Sequence, residues 1–394
     1  MTTLRLTMAQ ALVRYLAAQT SETGGNQVPL FAGVFAIFGH GNVAGLGEAL
    51  HAARETLPTL RAHNEQAMAL AAVAFAKASR RRRMMACTSS IGPGATNMVT
   101  AAAVAHANRL PVLLLPGDTF ASRRPDPVLQ QIEAFGDPTI SVNDCLRPVS
   151  RWWDRITRPE QILDSLPQAM RVLTDPADCG PVTLALPQDV QTEAHDYPEE
   201  FFAPHCWHIR RPPPDGAELA AAAAVLKSAQ TPLIVAGGGV HYALAGEPLA
   251  EFAARHGVPV AETQAGKGAL AWDHASNAGA IGVTGGSAAN TLAAEADVVL
   301  AIGTRLSDFT TASRSLFRNP ALRLIQLNAA AFDTAKHGAL PLVADAAAGL
   351  AALDQALAGW RAPAGWTSRA RGLAGEWQTA VDQATAPSNA RLPS

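Results

Sequence analysis

The chain has 394 residues, 48% of them hydrophobic and 16% charged, with a formal net charge of −2. At about 150 residues per domain this is two or three domains, and so small a charge excludes a broad field for nucleic acid or an anionic membrane. No apolar stretch approaches the roughly 20 residues that span a bilayer.

The N-terminus, Met1 to Leu12, lacks the charged-then-apolar layout of a secretory signal. Thr7 three residues before Gln10 has the form of a capping box, and Met8, Leu12, Tyr15 and Leu16 follow at helical spacing. Residues 34–38 predict a short buried strand ending in the turn Gly39-His40-Gly41-Asn42, then a helix over 45–56. His40, between two glycines at a strand end, is a candidate for a substrate site. Next come His63-Asn64-Glu65-Gln66 and a helix over 64–78, almost wholly apolar after its first turn and therefore expected to be buried on most sides. Glu65 at its mouth has two readings. Either Asn64 caps the helix with Glu65 in the first turn, or the carboxylate enters a dry site where something must satisfy it.

The basic run Arg80 to Arg83 reads as a solvated turn. A strand over 83–90, the turn Gly92-Pro93-Gly94 and a helix over 95–107 follow. Such glycines let a backbone approach a flat ligand, and a helix start offers free amide donors; a plain strand-to-helix turn explains them equally. The Lys-Ser/Thr pair of a Walker loop is missing. Residues 111–115 and 182–186 are further continuous apolar strands, and Asp118 stands past the first, open to a ligand or to solvent. Strands without polar alternation, separated by helices, indicate a parallel sheet covered on both faces.

Residues 191–216, with Tyr197-Pro198, Phe201-Phe202 and Arg211-Pro212-Pro213-Pro214, read as a linker. A second α/β rhythm occupies 217–358, with strands expected over 232–236, 258–262, 297–302, 322–327 and 340–343. Its turn Gly237-Gly238-Gly239 lacks the third glycine of the dinucleotide fingerprint, and Asn328 stands where a ribose-binding acid belongs, so tight packing is favoured there. Asp308, after Gly303-Thr304-Arg305, has the same two readings as Asp118. Residues 359–394 read as a further linker. The 11 histidines show no metal spacing, and Cys87, Cys145, Cys179 and Cys206 lie far apart without a CxxC pair. Reduced thiols in a cytoplasmic protein are the expectation, with no residue assigned to a metal.

In this order the segments resemble the thiamine-diphosphate-dependent enzymes, the family that includes acetolactate synthase. The marks are His63-Asn64-Glu65-Gln66 before a small-residue helix, Ser90-Ile91-Gly92-Pro93-Gly94-Ala95-Thr96-Asn97 and Leu186-Pro187-Gln188-Asp189-Val190. Ala301-Ile302-Gly303-Thr304-Arg305 and Asp345 add the middle domain. Within the family, Phe38-Gly39-His40-Gly41-Asn42-Val43 and Val142-Asn143-Asp144-Cys145 are similar to a branch that hydrolyses a C–C bond. Its substrate is an inositol-derived cyclic polyol dione, opened to 5-deoxyglucuronate. His40 and Asn42 stand where acetolactate synthases have Gly-Tyr-Pro-Gly. The alternatives are an acetolactate-synthase-like carboligase or 2-oxoacid decarboxylase and, from another class, a non-enzymatic nucleotide-binding module.

The resemblance implies an α/β fold of two doubly wound domains with parallel sheets, a pyrimidine-binding domain over 1–190 and a Rossmann-like middle domain over 217–358. It implies that Glu65 hydrogen-bonds the pyrimidine N1′ of thiamine diphosphate, that Gly92, Pro93, Gly94 and Asn97 help to bind it, and that His40 is catalytic. Because the cofactor is shared between subunits in related enzymes, a homodimer or tetramer is implied. Mg²⁺ and the diphosphate belong to a third, pyrophosphate-binding domain, whose Gly-Asp-Gly and Asn are not found after Leu327. The chain is therefore expected to be an N-terminal part that folds without turnover of its own. Flavin is structural in some relatives, and FAD near Gly237 and Arg305 is left open.

Overall fold

The computed structural model describes residues 2–132 and 134–387. The chain divides into two compact units, Met1–Arg210 and Arg211–Ser394. Both are doubly wound α/β units built on parallel sheets, as the apolar strand runs predict.

The main sheet of the first unit contains β1 Phe31–Ala36, β2 Thr59–Arg61, β3 Met84–Ser89, β4 Leu113–Asp118, β5 Trp152–Arg155 and β6 Val182–Pro187. Their spatial order is β2-β1-β3-β4-β6-β5, with every pair parallel. β3, β4 and β6 are buried at every position, the state that a parallel strand covered on both faces requires. Helices α1 Met8–Ala17 and α4 Ile162–Thr174 supply Met8, Leu12, Leu16, Leu166 and Met170 to one apolar cluster. α2 Glu65–Ala78 and α3 Val99–Asn108 pack against each other, and α2 also against β3. The Thr7–Gln10 capping box forms as read, with bonds of 3.2 and 3.0 Å.

Several local expectations for the first unit differ from the structure. The helix expected over 45–56 is a wide turn, Val43–Gly47, running into a short helix, Glu48–Ala52. Gln191 is the cause: its Oε1 takes the Leu46 N–H at 3.1 Å, and its Cβ would lie 2.5 Å from a Cβ on Gly45. α2 is buried on one face only, through Met68, Ala69, Ala72, Val73 and Ala76, while Ala67, Ala71 and Ala74 are exposed. Alanine carries too little apolar surface to force burial, so a run of it does not say which face packs. The stretch read as a linker from 191 is woven into the first unit as far as Arg210. Ala194–Pro198 pairs antiparallel with Thr3–Thr7, and His205–Trp207 pairs parallel with Gln19–Thr23. Tyr197 is fully buried there, its hydroxyl donating to the Pro159 carbonyl at 2.9 Å.

The second unit holds β7 Pro232–Ala236, β8 Val260–Glu262, β9 Asn277–Ala280, β10 Val298–Ile302, β11 Arg323–Asn328 and β12 Leu340–Val343. The order is β9-β8-β7-β10-β11-β12, again parallel throughout. Residues 359–394, read as a linker, include a helix, Ala364–Ala384, that docks on this unit through buried Trp366 and Ala370. The Trp366 indole N–H donates to the Pro232 carbonyl at 2.8 Å. Among the described residues no helix is long and apolar enough to cross a membrane.

Candidate active site

In an open parallel sheet, strands whose connections leave to opposite sides open a crevice beyond their carboxyl ends. β1 has β2 on one side and β3 on the other, so the crevice lies past Ala36 and Ser89. The two loops there meet. The Ile91 N–H donates to the His40 carbonyl at 3.0 Å, and a Cβ on Gly39 would sit 2.9 Å from the Ser90 Cβ.

Asn42 holds the first loop from inside. It is 2% exposed; its Oδ1 accepts from the Gly39 N–H at 2.9 Å, and its Nδ2 donates to the Ile37 carbonyl and Thr88 hydroxyl, both at 3.1 Å. Gln191 braces the other flank by donating to the Gly41 and Leu186 carbonyls. The sequence reading missed Gln191, because a single polar residue after a strand carries no local signal. His40 is partly buried, and its Nε2 is buried without a hydrogen-bond partner among the described residues.

The second loop begins with Gly92, at φ +66° and ψ −121°, a region that L side chains rarely adopt; a Cβ there would also lie 1.8 Å from the Gln130 carbonyl oxygen. Pro93 starts a short helix, Pro93–Thr96, at the position where its missing N–H costs nothing. Gly94 faces side chains: a Cβ there would stand 2.4 Å from Ser90 Oγ and 3.3 Å from Glu65 Oε1.

The capping reading of the α2 mouth holds. Asn64 caps the helix, its Oδ1 accepting from the Ala67 N–H at 2.9 Å. Glu65, partly buried, turns its carboxylate to the neighbouring loop, where Asn97 Nδ2 donates to Oε2 at 2.9 Å. Glu65, Ser90, Pro93, Gly94, Thr96, Asn97 and Gln130 line an open cleft of about 550 Å³. The structure thus brings Glu65, Pro93, Gly94 and Asn97 to one cleft, with Gly92 shaping its edge. His40 is joined to it through the Ile91 backbone and is not part of its lining. Ser90 and Thr96 were within the motif but unassigned. Gln130 arrives from a loop in which it is itself left-handed, at φ 64°, and the sequence reading gave it no role.

The other candidates lie outside this cleft. Asp118 is 2% exposed, and Arg155 Nε donates to its Oδ2 at 2.8 Å. Gly237 and Gly239 lie against Gly303: the Gly239 N–H donates to the Gly303 carbonyl at 2.9 Å, and a Cβ on Gly239 would be 2.5 Å from the Gly303 Cα. Asp308 is exposed. All four cysteines are free, and burial pushes the Cys87 and Cys179 thiols upward, away from nucleophilic use. Among the described residues no group of three His, Cys, Asp or Glu side chains could hold a metal ion.

Comparison with known proteins fits this geometry. Residues 30–136 match the family model described as "Thiamine pyrophosphate enzyme, N-terminal TPP binding domain", and residues 219–353 match "Thiamine pyrophosphate enzyme, central domain". The chain is 53% identical over 353 residues to a 3D-(3,5/4)-trihydroxycyclohexane-1,2-dione hydrolase of Bacillus cereus (strain AH820), covering 90% of this chain and 55% of the relative. It is 52% identical over 357 residues to the hydrolase of that name from Geobacillus thermodenitrificans (strain NG80-2), covering 91% of this chain and 56% of the relative. For that of Clostridium tetani (strain Massachusetts / E88) the identity is 50% over 350 residues, with 89% and 54% covered. The chain spans a little over half the length of these curated relatives. Family and branch agree with those read from the motifs.

Proposed function

Since the chain belongs to the thiamine pyrophosphate enzyme family, contributing its N-terminal and central domains, we propose that it serves ring opening of 3D-(3,5/4)-trihydroxycyclohexane-1,2-dione to 5-deoxyglucuronate in inositol breakdown. One observation carries the reading: the Glu65 carboxylate, anchored by Asn97 on one oxygen, borders the cleft beside Gly94 with the other. A flat heterocycle needs a small-residue surface and a carboxylate at its edge. The absence of a side chain at Gly94 leaves that surface, since a Cβ there would crowd both Ser90 and Glu65.

In this reading Glu65 and Asn97 would hold the aminopyrimidine of thiamine diphosphate, with Gly92, Pro93 and Gly94 supplying small-residue backbone for it. The bound cofactor supplies a nucleophilic carbon and an electron sink. Glu65 would hold or release a proton at its carboxylate for a pyrimidine nitrogen, general acid–base work of a kind contributing about 10²–10⁴ in rate. Asn97 keeps that carboxylate from rotating away. His40, whose loop is bonded to Ile91 beside the cleft, is proposed to serve the substrate, its Nε2 having no hydrogen-bond partner among the described residues. Mg²⁺ accompanies the diphosphate, and none of the residues named here is assigned to it.

A homodimer or tetramer belongs to the same proposal. It is supported by the exposed Ala67, Ala71 and Ala74 of α2 and by Leu129 and Phe135, 69% and 96% exposed, on the loop that carries Gln130. We place the protein in the cytoplasm, in keeping with its free cysteines.

The test is product analysis of the protein as its gene encodes it, with thiamine diphosphate and Mg²⁺, offered the cyclic dione or pyruvate. The expected result is 5-deoxyglucuronate from the dione and no acetolactate, with Glu65→Gln folded but slower by about 10²–10⁴. Acetolactate as the main product, or an undiminished Glu65→Gln rate, overturns the reading.

A further inference from the structure

The second unit contains a pocket lined by none of the family-motif residues. It has a volume of about 470 Å³ and lies at the start of β11, lined by Leu322, Arg323 and Leu324. The Gly237–Gly303 contact lies past the other ends of the strands, beyond Ala236 and Ile302. Val225, Phe317 and Leu340 complete an apolar lining, and Arg314 and His337 stand with Arg323 as the ionisable groups. No carboxylate lines the pocket, and neither Arg314 nor Arg323 forms an ion pair with a described carboxylate. Arg323 spends one donor, from Nη2, on the Ser228 hydroxyl at 2.7 Å. A guanidinium has five donors, so most remain for a ligand.

Two further features converge here. The walls are left-handed: Ala312, Ser313 and Arg314 have φ of 46°, 54° and 71°, and His337 and Gly338 have 63° and 65°. Successive non-glycine residues persist in that region only where the surroundings hold them. Here the Asp308 carbonyl accepts from the Ser313 N–H at 2.7 Å, and the Thr311 hydroxyl accepts from the Arg314 N–H at 3.0 Å. The turn thereby fixes the backbone from which Arg314 extends. The second feature is the apolar side: Leu324, which lines the pocket, packs against an apolar cluster that includes Ala301 and Leu292.

Apolar walls with a few polar groups, in a volume of this order, are the usual make-up of a small-molecule site. We propose that this pocket binds a small organic anion: an apolar ring against Phe317 and Leu324, with a phosphate or carboxylate held by Arg314 and Arg323. The site is separate from the Glu65 cleft and does not depend on the function proposed for it.

Calorimetric titration of the purified protein with phenyl phosphate, benzoate and benzyl alcohol tests this. Saturable binding of phenyl phosphate or benzoate is expected, with none of the neutral alcohol. The tighter of the two acids identifies the head group. Arg314→Ala/Arg323→Ala is expected to weaken binding about tenfold or more, and Val225→Trp, which fills the apolar side and keeps both arginines, to weaken it similarly. Circular dichroism melts establish that each variant is folded, and any other variant at the same position replaces one that is not. Absence of saturable binding by both acids, equal binding of the alcohol, or binding that survives either variant overturns the proposal.

Discussion

Asn97 donates from its side-chain amide to the Glu65 carboxylate at 2.9 Å, linking the mouth of α2 to the loop after β3. The bond leaves Glu65 Oε1 beside Gly94, so the carboxylate that borders the cleft has one oxygen fixed and one to offer.

Asn97→Ala should therefore weaken the cofactor more than the fold. A hydrogen bond to a charged group contributes about 1.5–3 kcal/mol, less where solvent reaches both partners. The expected outcome is a rise of about tenfold in the thiamine diphosphate concentration for half-maximal activity, with an unfolding midpoint nearly unchanged. Cofactor titration and urea denaturation measure the two.

Gly94→Ala puts a methyl 2.4 Å from Ser90 Oγ and 3.3 Å from Glu65 Oε1. Overpacking of this kind costs about 1–3 kcal/mol. Removing the hydroxyl relieves the closer contact, so the Ser90→Ala/Gly94→Ala double variant should be more stable than the sum of the singles. A double-mutant cycle by urea denaturation reads the coupling. Additive effects would place the strain elsewhere.

Arg155 bridges two carboxylates at the ends of the first sheet, Asp118 at 2.8 Å and Asp144 at 2.7 Å. Burial raises the Asp144 carboxyl, but the Arg155 guanidinium and the Ser141 N–H outweigh it and hold the group below the usual carboxylate range. A carboxyl lowered by folding stabilises fully above its unfolded value, about 3.9, and ceases to do so as pH falls through its lower folded value. Asp144→Asn should accordingly flatten the acid limb of stability below about pH 4. Arg155→Ala, which leaves Asp118 buried and unpaired, should cost about 3–5 kcal/mol at neutral pH. Urea denaturation across a pH series tests both.

Gly303 has φ +59°, and a Cβ on it would lie 2.5 Å from the Gly239 Cα. Because that neighbour is backbone, no side chain can move aside. Gly303→Ala should destabilise the second unit by more than about 2 kcal/mol while leaving the first unit's melting unchanged. Hydrogen exchange resolved by segment separates the units.

The chain's own pattern determined its class. Apolar strand runs such as those of β4 and β6, alternating with helices, indicate a parallel sheet covered on both faces, and turn residues such as Gly92-Pro93 act through local backbone constraints that operate in any fold. The Thr7–Gln10 cap and the Asn64 cap were legible for the same reason, since each bonds within a few residues. The Glu65 carboxylate could be seen to need a partner, and the motif that supplies it lay nearby in the chain. What the sequence could not reveal is every contact made by a group with no local signature. Gln191 reaches back to Gly41 from a stretch that reads as a linker, Gln130 arrives over Gly92 from a distant loop, and Asp118 finds Arg155 on another strand. A polar side chain looks alike in a sequence whether water or a buried carbonyl will satisfy it. Only the crossing order of the strands, which sets who stands beside whom, decides between the two.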